Sequence, residues 1–255
     1  MDNEYQLGSF VPRRPDSARP VIIIQARMNS TRLPGKVLLP LCGVPMVQGM
    51  LRRLSVLKER VPIILAISTH PNDTILMDVA ATTGVAVIRG SEEDVLDRYV
   101  KAVASTSADT VVRLTADCPL SDPEMVDQAL DLFYHLHVEY LSNSLRRTYP
   151  RGFDIEIMSR TALESAAREA VLHREREHVT PFIRNHPERF SQACFVSPED
   201  FSSWRLTVDT KEDAEIVQHV LSKLGGSFTF ETVKHVLEAH EEWRQINAHV
   251  QQKQD

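Results

Sequence analysis

The chain has 255 residues, 42% of them hydrophobic, enough to bury one substantial core without a second independent domain. Its net charge of -6 argues against a general affinity for nucleic acid, whose phosphate backbone rewards a basic face, and points to a small partner. Cys42, Cys118 and Cys194 are widely spaced with no C-x-x-C pair, so neither a disulfide framework nor a zinc site is suggested, and a reducing cytoplasm fits.

Residues 1–19 mix Arg13, Arg14 and Arg19 with Pro12 and Pro15, lack the apolar segment of a secretory signal, and read as a disordered arm. No apolar run approaches the ~18 residues needed to cross a bilayer, so no membrane association is expected. The run Val21-Ile22-Ile23-Ile24 is β-branched on successive positions, as a strand buried on both faces requires. A polar loop, 25–36, leads to a helix over 46–57, where Met46, Val47, Met50, Leu51, Leu54 and Leu57 recur at helical spacing. The unit repeats: strands over 63–67, 85–88 and 110–114 are each followed by a helix, over 73–81, 92–104 and 123–136. Ser91 with Asp94, and Asp122 before Pro123, mark two of the helix starts. This alternation predicts an α/β fold, a Rossmann-like, mostly parallel sheet with helices on both faces.

From about Tyr149 the rhythm changes, because Phe153-Asp154-Ile155-Glu156-Ile157 alternates apolar and acidic residues as a half-exposed strand does. Helices over 160–169 and 175–184 follow, and the β/α pattern resumes with a strand at Leu206-Thr207-Val208 and a capping-box pair, Thr210 and Asp213. The expected organisation is one domain over 20–246 with an inserted lobe at about 145–200, then a polar tail, 247–255.

The loop after the first strand lies at the carboxyl edge, where open α/β sheets place ligands. Every charged residue from Ser17 to Lys58 is Lys or Arg, a local positive field suited to a polyphosphate. Arg27 and Arg32 offer planar forks, Lys36 a point charge, and Gly35 close backbone approach. A solvated basic loop is the competing reading. A Walker A loop is not, since Ser30 stands where its first glycine belongs and Val37 where its Ser or Thr belongs.

Residues 26–36, A-R-x-x-S-T-R-L-P-G-K, followed over 38–46 by L-x-x-x-x-G-x-P-M, resemble the nucleotide-binding opening of the CMP-sugar synthetases. This family includes the CMP-Kdo and CMP-acylneuraminate cytidylyltransferases and, closest in wording, the spore-coat polysaccharide protein F-like branch. Further matches follow in order at 90–99, 114–120, 149–156 and 208–210, so the resemblance covers about residues 20–237. It implies a nucleotidyltransferase that binds CTP, transfers CMP to a sugar-like acceptor, releases pyrophosphate and acts as a homodimer. It implies that Ala26, Arg27, Ser30, Arg32, Gly35 and Lys36 hold the nucleotide with Ser91, that Asp97 and Arg98 lie near the nucleotide or acceptor, a surface ion pair being the rival reading, and that Lys36, Arg27 and Asp117 are catalytic.

Asp117, just past a buried strand and before Cys118-Pro119, should emerge at the same sheet edge as Lys36, where a hard Mg²⁺ takes one or two carboxylates plus phosphate oxygens. Its competing role is a cap or turn ahead of Pro123. The late Val-Asp-Thr motif implies that Asp209 shares that Mg²⁺; the alternative is that Asp209 favours the adjacent helix N-terminus by charge. Arg151, Gly152, Asp154 and Glu156 are the candidate acceptor residues, with an exposed acidic face as the rival. Cys118 reads as structural, because no His is placed to activate it and transfer to a hydroxyl needs no covalent intermediate. His173 and His178 are five apart, not the i, i+4 spacing of a zinc helix. Thr-Ala-Asp-Cys-Pro replaces the Gln-Gly-Asp-Glu-Pro type of the Kdo enzymes, which leaves the acceptor open: a 2-keto sugar acid leads, beside a phosphate or phosphonate acceptor, another base, or a non-catalytic nucleotide-binding subunit.

Overall fold

In the computed structural model, which describes residues 3–8, 12–57 and 59–252, the β-branched run that opens the domain lies inside an eight-stranded sheet. In chain order, the edge strand β1 (Glu4–Gln6) precedes β2 (Pro20–Ala26), and β3 (Pro40–Leu41) with β4 (Val44–Pro45) forms a separate hairpin before α1 (Met46–Leu54). Then come β5 (Ile63–Ser68), α2 (Ile75–Thr83), β6 (Ala86–Gly90), α3 (Val95–Ala104), β7 (Thr110–Thr115), α4 (Pro123–Leu136) and β8 (Tyr140–Ser142). The chain continues through β9 (Glu156–Ser159), α5 (Arg160–Glu169), α6 (His173–His178), α7 (Pro181–Asn185), β10 (Gln192–Val196), α8 (Lys211–Leu224) and α9 (Phe230–Ala239). The spatial order is β1-β10-β8-β9-β7-β2-β5-β6, parallel throughout except for β9, which runs antiparallel to both neighbours.

Alternation along each strand divides the core between the two faces of the sheet. Ile22, Ile24, Leu65 and Ile67 pack with α1, α4, α8 and α9. Val21, Ile23, Ile64 and Ala66 pack with α3, α5 and α7. Tyr99 secures α3 by donating its buried hydroxyl to the carbonyls of Ile23 (3.2 Å) and Leu114 (3.3 Å). Among the described residues no helix is long and apolar enough to cross a membrane, and all three cysteines are free thiols.

Several expectations are corrected. The expected arm is docked: β1 pairs with β10, and the Arg14 guanidinium reaches Asp127 and Asp131 of α4, each at 2.7 Å. Residues 1, 2 and 9–11 lie outside the described part of that arm. The segment 145–200 is no separate lobe, because β9 and β10 are members of the main sheet. Its expected half-exposed strand begins only at Glu156 and is buried, inserted between β7 and β8. The helix expected over 175–184 splits at Val179, whose φ of 72° ends α6 before Pro181 starts α7. Leu206-Thr207-Val208 is not a strand: its backbone bonds go to two loops, Leu206 N to the Arg151 carbonyl (2.7 Å) and Val208 N to that of Asp117 (2.8 Å). The tail is also anchored, by the buried Asn247 amide donating to the Arg205 carbonyl and to Asp213 Oδ1, both at 2.9 Å; residues 253–255 lie outside the described part.

Asp122 ties the start of α4 to the start of α9. Its carboxylate accepts from the backbone N–H of Glu124 (2.8 Å) and Met125 (3.4 Å), and its other oxygen from Phe230 N–H (2.8 Å). Asp122→Ala removes a helix cap and strands a buried N–H, so urea denaturation should show a loss of about 2–4 kcal/mol in unfolding free energy. A loss under 0.5 kcal/mol on that measurement would contradict this account.

Candidate active site

The first loop folds around its own Met28. Ser30 N–H (3.0 Å) and Gly35 N–H (2.9 Å) both donate to the Met28 carbonyl, while Met28 N–H donates to the buried Asp73 carboxylate at 2.7 Å. Gly35 has φ 72°, left-handed, and a Cβ there would meet only Met28 Cε at 3.6 Å, so backbone conformation rather than crowding calls for glycine. The turn aims Lys36 inward. Its ammonium donates to Asp117 Oδ2 (2.9 Å), Asp209 Oδ1 (2.8 Å) and the Val208 carbonyl (2.9 Å). Lys36 is therefore no charge on a solvated loop: the residue is 9% exposed and all three of its N–H donors are engaged by protein oxygens.

The two carboxylates come from distant segments that are stitched together. Val208 N–H and the Thr207 hydroxyl (3.1 Å) both donate to the Asp117 carbonyl. Thr115 Oγ1 donates to Asp117 Oδ1 at 2.6 Å. Asp209 Oδ2 meets Arg32 and Arg205, each at 2.7 Å, and Arg205 also grips Asp213. Burial opposes charge at Asp117, yet Lys36 and Thr115 hold its carboxyl below the usual range; burial likewise opposes the Lys36 charge, and Asp117 and Asp209 outweigh it, so the ammonium titrates above its usual value. Thr210 and Asp213 form the expected capping box on α8.

Above this cluster lies a cavity of about 590 Å³ over the sheet edge. Nine lysine or arginine side chains line it against five aspartate or glutamate, a positive basin in an acidic protein. Ala26, Arg27, Ser30, Arg32, Lys36, Asp117, Asp209, Arg151, Asp154 and Glu156 all line it. Ser91, Asp97, Gly35 and Gly152 do not. Ser91 accepts from Asp94 N–H at 3.1 Å, and Asp97 spends its carboxylate on Lys101 at 2.6 Å along α3. Gly152 serves the backbone: its φ is 108° and a Cβ would lie 2.5 Å from the carbonyl carbon of Leu206. Among the described residues no group of three His, Cys, Asp or Glu is placed to hold a metal ion; Asp117 and Asp209 converge as a pair on Lys36.

Sequence reasoning missed Arg113, Arg147, Arg174 and Arg184, which line the cavity, as does Arg98, expected near the nucleotide or acceptor. Arg98 was legible: Val95, Leu96, Tyr99, Ala102 and Val103 define the apolar face of α3, and Arg98 falls within it, a cation where burial demands a reason. Its stem lies against Gly90, where a Cβ would sit 2.5 Å from Arg98 Cγ. Arg98 is 1% exposed, and burial lowers the pKa of its guanidinium. Cys118 is buried, which pushes its thiol up, as a structural cysteine requires.

At the opposite wall, Glu156 opens β9 at the sheet's ligand edge because that strand runs antiparallel. It is not available to a ligand as expected. One oxygen accepts from Thr180 Oγ1 (2.6 Å) and Tyr140 OH, the other from Arg113. Burial works against its charge, but Arg113, Thr180 and Tyr140 hold its carboxyl below the usual range. Asp154 pairs with Arg147, and the Arg151 backbone bonds to Trp204 and Leu206.

The cytidylyltransferase family model matches residues 21–254. The chain belongs to the cytidylyltransferase family. The spore coat polysaccharide biosynthesis protein SpsF of Bacillus subtilis is 37% identical over 216 residues, 80% of this chain and 87% of the relative. The structure of a cytidylyltransferase from Leptospira borgpetersenii, 34% identical, superposes with a TM-score of 0.84 over 93% of this chain and 100% of that one. A 3-deoxy-manno-octulosonate cytidylyltransferase of Chloroherpeton thalassium is 34% identical over 112 residues, 43% of this chain and 44% of that enzyme. CMP:2-keto-3-deoxy-manno-octonic acid synthetase complexed with CTP shares the fold, at 20% identity and a TM-score of 0.64 over 81% of this chain and 100% of that one. This cytidylyltransferase therefore has the expected sheet and is a nucleotidyltransferase.

The depressed Glu156 titration makes stability pH-dependent in a defined direction. A carboxyl held below its unfolded value contributes stability above about pH 4.3, and that contribution is lost as pH falls through the folded value. Glu156→Gln should lower the urea midpoint at pH 7, at a cost of about 3–5 kcal/mol for stranding buried Arg113, and the gap to wild type should narrow below about pH 4. An equal gap at pH 7 and pH 3 would count against the buried pair as its cause.

Proposed function

We propose that this cytidylyltransferase binds CTP over its first loop and transfers CMP to the hydroxyl of a sugar acid, a 2-keto sugar acid in the leading case, with release of pyrophosphate. The observation that carries the reading is the positive cavity whose base holds two carboxylates on one cation, Asp117 and Asp209 on Lys36. Relatives named for 3-deoxy-manno-octulosonate and 8-amino-3,8-dideoxy-manno-octulosonate support CTP and an anionic sugar. Arg147, Arg174 and Arg184 on the acceptor side favour an acceptor carrying an anionic group.

The acceptor hydroxyl oxygen attacks the α-phosphorus and gives up its proton to solvent, the bond to the bridging oxygen breaks, and pyrophosphate leaves with that electron pair. Positioning and charge neutralisation supply most of the acceleration in such a transfer. Arg27, Ser30 and Arg32 line the cavity, where they would hold phosphate oxygens. The donor set fits Mg²⁺, since two carboxylates converge within 3 Å of a common cationic point and the ion also takes phosphate oxygens. Asp117 and Asp209 would hold it, and when bound it neutralises charge on the nucleotide phosphates.

Pyrophosphate release should be measured with each of four nucleoside triphosphates against 2-keto sugar acids, sugar phosphates and phosphonates, with Mg²⁺ and with EDTA. Release confined to CTP with a sugar acid, abolished by EDTA, is expected. Release with another base, or with phosphates or phosphonates alone, would replace the reading with that chemistry.

We further propose a homodimer built on the segment 145–200, whose loop exposes Val171 (86%) and Leu172 (59%). Light scattering should give twice the chain mass, with a monomer from Val171→Asp/Leu172→Asp; a wild-type monomer at micromolar concentration would dismiss it.

A further inference from the structure

The surroundings of Lys36 give it a task beyond contacting phosphate. Its three donors are spent at 2.8–2.9 Å on Asp117, Asp209 and the Val208 carbonyl. Asp209 is engaged on its second oxygen by Arg32 and Arg205, and Arg205 is bound in turn to Asp213. Lys36, Arg32 and Arg205 thus face Asp117, Asp209 and Asp213, three cations against three carboxylates. The cluster is neutral without any ligand.

A divalent ion on Asp117 and Asp209 would need their oxygens at about 2.0–2.1 Å, inside the radius at which the ammonium holds them. An ammonium and a divalent ion held on the same oxygens would stand close together and repel each other. A metal ion entering alone would also leave the balanced cluster with excess positive charge, whereas a triphosphate brings its own negative charge and offers the ammonium new acceptors. We propose that Lys36 is the built-in counter-ion of the Asp117–Asp209 pair, excluding a divalent cation from both carboxylates until a nucleoside triphosphate draws the ammonium away. The inference rests on the proposed assignment of Asp117 and Asp209 as metal ligands, and it adds an order: the ion arrives with the nucleotide rather than residing in the protein.

The local construction suits such an exchange. Lys36 and Arg32 share one loop, so a triphosphate bound there recruits both away from Asp209 together. Arg205 stays. Its bidentate hold on fully buried Asp213, itself bonded to Asn247, keeps Asp209 in place when the other two cations leave. Lys36 is a positioning residue for the carboxylates before it is a contact for phosphate.

The test uses the full chain and Mn²⁺ as the probe, read by the electron paramagnetic resonance of free Mn²⁺. Without nucleotide, Lys36→Met should bind Mn²⁺ at least tenfold more tightly than wild type, and the further change Asp117→Asn should abolish the gain. With a methylene-bridged CTP analogue the two proteins should bind Mn²⁺ within about threefold of each other. Lys36→Gln, neutral but still able to donate, keeps the comparison available if Lys36→Met does not fold, as judged by its circular dichroism melt. Mn²⁺ binding to either folded variant no tighter than to wild type overturns the proposal, as does wild type binding Mn²⁺ equally well with and without the analogue. Failure of every protein to take up Mn²⁺ even with the analogue marks a different fault, in the metal assignment itself, and ends the proposal with it.

Discussion

One ammonium between two carboxylates fixes the geometry of this site. Lys36, Asp117 and Asp209 come from three segments far apart in sequence, and they meet within 3 Å because β2 and β7 are neighbours and the 206–208 segment is bonded to the Asp117 carbonyl. Each ion loses hydration worth several kcal/mol on burial, so the cluster is a poor investment in stability alone. Removing one member from such a set leaves the others uncompensated. That asymmetry locks the first loop, the end of β7 and the approach to α8 into a single relative position, and the cavity is built on that lock.

A second buried cluster does the same for the other wall. Arg113, Glu156, Tyr140 and Thr180 join β7, β9, β8 and the turn before α7 through one carboxylate. The reversal of β9 makes this possible, because an antiparallel strand begins where its parallel neighbours end. Glu156 therefore stands at the ligand edge without being free for a ligand. Its value lies in rigidity: with both oxygens engaged, the floor between the first loop and the arginines of α6 and α7 has one arrangement.

What was legible in the sequence followed from local chemistry. The buried run at 21–24, the cap at Asp122 and the capping box at Thr210 and Asp213 depend on neighbours within a few residues, and each appears as expected. The meeting of Asp117 and Asp209 was expected from two strand ends sharing an edge; the two do meet, but Asp209 is brought there by a segment bonded to the Asp117 carbonyl rather than by a strand. The rest depended on partners that no short window contains. The arm became a strand because β10 offered it an edge and α4 offered Arg14 two carboxylates. The acidic alternation of 153–157 looked half-exposed, yet Arg113 and Tyr140 allowed Glu156 to be buried. Asp97 and Arg98 were equally visible as letters; only the apolar face of α3 distinguishes the one that turns inward.

The strength of each existing pair separates the cations that can change partners from those that cannot. Arg205 holds buried Asp213 through two bonds, and Arg113 holds buried Glu156, so exchanging either would strand a carboxylate in the interior. Arg27 is different: its partner Glu177 on α6 lies 3.5 Å away, and its side chain is 44% exposed. An exposed pair of that length contributes about 0–1 kcal/mol, less than a charge-assisted bond to a desolvated phosphate oxygen. Arg32 is intermediate, well paired with Asp209 at 2.7 Å but 32% exposed. The first loop thus grades its cations from mouth to base, Arg27 loosest, Arg32 next and Lys36 most committed. On the proposed function, a polyphosphate entering from solvent would meet them in order of increasing cost, so the groups easiest to recruit would be the first it reached.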